Sequence, residues 1–283
     1  VSELVAYLEN PFVQRALLGL VLVAINAGLA GAFAAFRNST FLISGASHAA
    51  LAGAALALVL ADRLGLPLFS PAVGGTLFAV ALALLAARAT QRSSREQADT
   101  AIGVGFAFSM ALAVLLISLI PESASRVWGL LLGDVLLLSV ADLWLMGGMT
   151  VLLAAVFAAC WRPFLFVTFD AEGAQAFGVR VGAYNTLLFA LIGLSTGVLL
   201  RGVGAIVVFA MLAAPAATAL LVGGTVWRTM LGAFLIALCS GLIALVVSCY
   251  VQVSVSGLAA LLAAGSYFVT RGVLALREAR HHP

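Results

Sequence analysis

Ser47 and His48 stand side by side in the run FLISGASHAALAG. A serine next to a histidine invites a nucleophile-and-base reading, but neighbours on a helix point about 100° apart and lie out of mutual reach. A membrane-embedded hydrolase is therefore disfavoured. The other two histidines, His281 and His282, end the chain beside Pro283 and read as a tail. Because His48 falls in an apolar stretch, where polar side chains are costly, it marks a functional position by default. Ser44 precedes it by one helical turn on the same face. The acids form two further groups. Asp134 and Asp142, eight residues apart and on roughly one helical face, are placed to attract cations at a channel mouth or to cap helices. Asp170 and Glu172, with Gln175, centre a polar island at 164–181 in a chain that is otherwise almost all hydrocarbon.

Composition sets what must position these residues. The chain is 64% hydrophobic and 9% charged over 283 residues, which makes it an all-α polytopic membrane protein, read as a single transmembrane domain over 1–283. A spanning helix needs about 20 apolar residues. Apolar stretches fall near 13–36, 42–61, 70–88, 100–120, 141–161, 182–200, 203–222, 229–250 and 255–270, so eight or nine spans are expected. The first reads as a retained span and not as a signal peptide. The stretch 127–140 contains Asp134 and is too short for a span, so it is expected as an outer-side half-helix.

All fourteen basic residues are arginine. The phosphate-binding loop of ATPases needs a lysine, so the chain cannot carry that ATP site itself. The arginines form no basic stripe, which argues against nucleic acid as a partner. With nine spans and an external N-terminus, Arg37, Arg88, Arg92, Arg95, Arg162, Arg180, Arg228, Arg271, Arg277 and Arg280 lie inside, against Arg15, Arg63, Arg126 and Arg201 outside. The excess on one side orients the chain and puts the polar island in the cytoplasm.

The island reads as a helix opened by Asp170 and Glu172, whose charges offset the helix dipole, and stopped by Gly178 with Gly182. Ala171, Ala174 and Gly178 give it a face nearly bare of side chain, fit to lie against a foreign surface. Gly193 to Gly197 and Gly129 to Gly133 are GxxxG spacings that let helices approach closely, within a bundle or across a dimer. Pro215 removes a backbone hydrogen bond inside the seventh span, where a bend can serve as a gate. Asp99 is placed to cap the fourth span. Cys160, Cys239 and Cys249 read as small packing residues.

Four segments in order carry a family resemblance: Pro11 to Phe33, Ser47 to Gly53 (SHAALAG), Leu131 to Leu143 (LLGDVLLLSVADL) and Phe169 to Val222. Together they resemble the permeases of zinc, manganese and ferrous-iron ABC transporters over nearly the whole chain. The resemblance implies a homodimer in the inner membrane of a prokaryote, bound to two cytoplasmic ATPase subunits and fed by an extracytoplasmic metal-binding protein. The island becomes the coupling helix, with Asp170, Glu172, Ala174 and Gly178 as docking positions, and ATP is bound by the partner only. No cofactor is expected to be held stably; the metal is cargo.

The resemblance also implies a metal path. Relatives commonly place an acid four residues before the second-span histidine; here Ser44 and His48 hold those positions, with Ser47 and, at the mouth, Asp134 as further candidates. Val251 and Gln252 follow Tyr250 where many relatives have an aspartate, and the fourth span offers Phe106, Phe108, Ser109 and Met110 without a histidine. A path with an imidazole and few carboxylates leans toward zinc over manganese or iron. The rival class, a secondary transporter driven by an ion gradient, would need acids inside the spans, and the spans hold almost none.

Overall fold

The computed structural model describes residue 7 and residues 9–65, 70–92, 95–120, 129 and 133–281. Eleven helices follow in chain order: α1 Pro11–Phe36, α2 Phe41–Leu64, α3 Pro71–Arg92, α4 Arg95–Ser118, α5 Val140–Ala159, α6 Trp161–Phe169, α7 Ala171–Ala176, α8 Val181–Val203, α9 Ala205–Val222, α10 Val226–Val251 and α11 Val255–His281. No strand occurs among the described residues. Nine of the eleven, all but α6 and α7, are long and apolar enough to cross a membrane. The expected spans match to within three residues, save the last, which continues to Ala279. There the composition stops being apolar, but Leu, Ala, Arg and Glu are good helix formers and carry the helix on.

Two local expectations change. Of the half-helix expected over 127–140, Gly129 is helical and Gly133 N bonds to Gly129 O at 2.8 Å, while beyond Gly133 the chain makes a 3-10 turn at Val135–Leu137 instead. Side chains take over the backbone donors there: Asp134 Oδ1 accepts from Leu136 N at 3.0 Å, and Ser139 and Asp142 form a capping box that starts α5 at Val140. The remainder of that stretch, apart from Gly129, lies outside the described residues. Asp99 sits a turn inside α4, which begins at Arg95, and so does not cap it.

Helix α2 is the axis of the bundle, with 89% of its most apolar 18-residue stretch buried. It is flanked by α3 and α4 on one side and by α8 and α9 on another, while α10 and α11 pack against α9, and α10 also against α1. The spacing from Gly193 to Gly197 works inside this one chain. A Cβ on Gly193 would meet Ala79 and Ala83, and one on Gly197 would meet Thr76, so these glycines let α8 lie directly on α3. Gly133 is needed twice over: its φ is +60°, and a Cβ there would run into the Val203 carbonyl and the Gly204 nitrogen. Gly133→Ala is therefore expected to cost about 3 kcal/mol, from backbone strain plus displacement of the turn. Thermal unfolding in detergent checks this, and a wild-type melting point would show that the contact yields freely.

Polar contacts fasten the two ends of the bundle and tell them apart. At the end where α1 begins, Arg15 Nη1 donates to Leu138 O at 3.1 Å, Arg63 Nε donates to Leu119 O at 2.7 Å, and Arg201 pairs with Asp142 at 2.8 Å. At the other end Arg37 Nη1 donates to Val167 O at 3.2 Å, and Gln91 Nε2 donates to Gly182 O and Thr186 Oγ1, both at 3.1 Å. This division agrees with the arginine partition expected from sequence for Arg15, Arg63, Arg201 and Arg37; Arg126 lies outside the described residues.

Between the ends, fully buried Asn26 ties three helices together. Its Nδ2 donates to Thr150 Oγ1 of α5 at 2.7 Å, and its Oδ1 accepts from Ser195 of α8 at 2.7 Å. A π turn, Ala27–Gly31, follows at once. Across from it, a Cβ on Gly31 would meet the Leu212 carbonyl and Ala216 of α9. Those residues bracket Pro215, which is buried and which α9 passes through without ending. The π turn of α1 thus faces the proline-bearing turn of α9 in the core.

Candidate functional site

His48 lies two turns into α2, where the regular helix brings Ser44 to the same face. Its ring meets Phe106 of α4 edge-on, with centroids 4.8 Å apart. Its Nδ1 is buried and has no hydrogen-bond partner. Buried polar atoms are nearly always paired, so an imidazole nitrogen left without a partner inside a membrane bundle is a candidate ligand atom. Ser44 is buried alongside it. Ser47 is spent differently: fully buried, it donates to the Ser44 carbonyl at 2.9 Å and points to another face of the helix.

The remaining path candidates are not brought to His48. Asp134 caps the 3-10 turn, which rests chiefly on α1, α8 and α11, away from α2. Asp142 is held by Ser139 and by Arg201. The Arg201 pairing was missed in the sequence, since 59 residues separate the partners (201 − 142) and nothing local announces it. Ser109 donates to its own helix at Gly105 O, 2.7 Å away. Among the described residues no three His, Cys, Asp or Glu side chains gather into a metal-holding group. A groove of about 770 Å³ runs between α3 and α4 over Ala49, walled by Phe78, Leu82, Val104 and Phe108, and a cavity of about 280 Å³ near Ser70, Gly75 and Arg201 lies toward the end where α1 begins. His48 lines neither. One imidazole with a neighbouring hydroxyl can hold a passing cation weakly, as suits a conduit.

The polar island at 164–181 is helical, as expected, but in two pieces. Helix α6 ends at Phe169 and α7 begins at Ala171, because the Asp170 carboxylate accepts from Gly173 N at 2.8 Å and so caps the second piece. Gly178 stops α7 as expected, with φ +78°, Gly178 N reaching Gln175 O and Val179 N reaching Ala174 O, whereas Gly182 has no part in the stop and lies in the first turn of α8. Asp170, Glu172 and Gly178 are exposed. Ala174 is the exception among the docking candidates. It is fully buried in its own chain, so it seats α7 and does not meet a partner. The bare face predicted from Ala171, Ala174 and Gly178 is divided accordingly, because alanine is equally at home on either side of a short helix.

Sequence reasoning also missed two aromatics. Phe169 is 59% exposed and Phe177 is 82% exposed, so a large apolar ring flanks the acids at each end of the island. Their order in the chain, Phe before Asp170 and Phe before Gly178, was the available signal. An exposed ring beside carboxylates at the end of a membrane bundle has the make-up of an anchor for a protein surface.

Residues 9–273 match the ABC 3 transport family. The manganese import system permease protein ScaB of Streptococcus parasanguinis is 34% identical over 220 residues, covering 78% of this chain and 75% of ScaB. The manganese transport system membrane protein MntC of Halalkalibacterium halodurans is 35% identical over 214 residues, covering 76% of this chain and 70% of MntC. Among solved structures, PsaBC from Streptococcus pneumoniae in complex with Fab superposes with a TM-score of 0.79 at 25% identity, over 95% of this chain and 94% of that one. Nine spans, a central helix bearing His48 and a polar island at one end of the bundle therefore meet a match along almost the full length: the chain belongs to the ABC 3 transport family and is a transport permease, not an enzyme.

Proposed function

We propose that the chain is the membrane permease of an ATP-driven importer for a divalent transition metal, working as a homodimer in the inner membrane of a prokaryote. The observation that carries this reading is the unpaired Nδ1 of His48 on the most buried helix of the bundle. Two ATPase subunits dock on the cytoplasmic island through Asp170, Glu172 and the rings of Phe169 and Phe177. An extracytoplasmic binding protein delivers the metal at the opposite end. ATP closes the ATPase pair, the docked islands move with it, and the spans switch access, with Pro215 and the π turn of α1 as the irregular points at which helices bend.

For the metal itself, manganese comes first, because relatives near 34% identity are named for manganese. Zinc is the second reading, supported by the donors of this chain: an imidazole and a hydroxyl where manganese prefers carboxylate oxygen. In cells expressing the permease with its ATPase and binding protein, uptake of labelled manganese is expected to be suppressed more by unlabelled manganese than by equal zinc; the reverse order selects zinc. The permease alone is expected neither to hydrolyse ATP nor to transport. Uptake by the lone chain under a sodium or proton gradient would overturn the ATP-driven reading.

A further inference from the structure

We propose that Arg37 is the latch through which movement of the docking island reaches the helix that carries His48. The inference rests on the reading of the island as the ATPase-docking segment. Helix α6 ends where Asp170 diverts the chain, which leaves its last carbonyls without helical donors. Arg37 Nη1 donates to one of them, Val167 O, at 3.2 Å, and a cation at that end also opposes the helix dipole. The guanidinium lies 5.6 Å from the ring centroid of Phe189, a fully buried residue of α8. Beside it Phe36 meets Phe169, the last residue of α6, with centroids 5.5 Å apart. The end of α1 thus grips the base of the island by a charged hydrogen bond and a ring contact.

The other side of the grip is stiff. Asn38 takes a left-handed conformation, φ +52°, with Asn38 N bonded to Ala35 O and Ser39 N to Ala34 O. This pattern closes a helix firmly, and asparagine tolerates the left-handed turn. Leu42 N and Ile43 N then bond to Ser39 O and Thr40 O, so α2 starts with no slack. Phe106 touches both Phe41 at the start of α2 and His48 two turns on, with centroid distances of 5.6 and 4.8 Å. A shift of α6 therefore has a short, hydrogen-bonded route into α2. Arg37 acts through this route and does not touch the metal; it is a positioning residue.

The test uses proteoliposomes holding the permease, its ATPase and its binding protein, with labelled manganese or zinc as probe and ATP hydrolysis measured on the same vesicles. Arg37→Gln is expected to lower metal uptake per ATP about tenfold while hydrolysis stays within about twofold of wild type. Arg37→Lys keeps a cationic donor and is expected to recover part of the ratio. If Arg37→Gln does not insert, Phe36→Leu, which removes the ring contact with Phe169 together with an edge-on contact to Phe33 inside α1 itself, is expected to lower the same ratio about threefold. Uptake and hydrolysis falling in parallel, or an unchanged ratio, would overturn the latch alone. A wild-type assembly that fails to hydrolyse ATP or to move metal would overturn the functional reading, and the latch with it.

Discussion

His48→Phe is expected to abolish nearly all metal uptake while the protein still folds and inserts. Phenylalanine fills the space of the imidazole and keeps a ring against Phe106, so the packing around α2 survives. What disappears is the only nitrogen donor identified on the path, whose Nδ1 is buried without a partner. Losing a ligand outright removes at least as much as losing the groups that orient one, so uptake at low metal is expected to drop about 100-fold. The measurement is initial uptake of labelled manganese or zinc at matched expression. Normal uptake by this variant would take His48 out of the mechanism. A companion substitution, Ser44→Asp, puts a carboxylate one turn from the imidazole and is expected to favour manganese more than zinc, because manganese prefers oxygen.

Phe177→Asp is expected to strip the ATPase from the complex without harming the membrane bundle. The ring is 82% exposed, and its contact with the Phe166 ring has a centroid distance of 5.9 Å, so little stability depends on it. At an interface the same ring is a candidate anchor, and removing an aromatic hot spot costs about 2–4 kcal/mol, or roughly 30- to 1000-fold in affinity. The carboxylate adds desolvation and repulsion against an island that already holds Asp170 and Glu172. Co-purification of the ATPase with the tagged permease reads this out directly. Recovery at wild-type levels would move the docking surface elsewhere. Ala174→Ser is the informative contrast, since Ala174 faces its own chain and any effect there comes through the fold of α7.

Much of the architecture was legible because lipid imposes a simple rule. A span must be about 20 residues of hydrocarbon, and nothing in the apolar stretches disguised that length. The island was equally legible as a polar break, and its stop at Gly178 followed from the need for a residue that accepts φ +78°. Its division at Asp170 was less so, because aspartate opens a helix and interrupts one by the same bond, here to Gly173 N. Whether Ala174 faced out or in could not be read from an alanine-rich hexamer. The mouth acids were readable in sequence either as cation attractors or as caps; Asp134 proved to be a cap, and Asp142 a cap and the partner of Arg201.

Composition and order by themselves determined the solvent of this protein, the number of its spans and the place of the polar island between the fifth and sixth of them. Those properties depend on residue type summed over a stretch, and the sequence states them directly. Only the tertiary structure decided which polar groups meet. Asn26 with Thr150 and Ser195, Asp142 with Arg201, and Arg37 with Val167 join residues 59 to 169 positions apart. Inside a membrane bundle such pairs depend on how helices are rotated about their axes, and with small alanine and glycine residues on every face, many rotations satisfy lipid equally well.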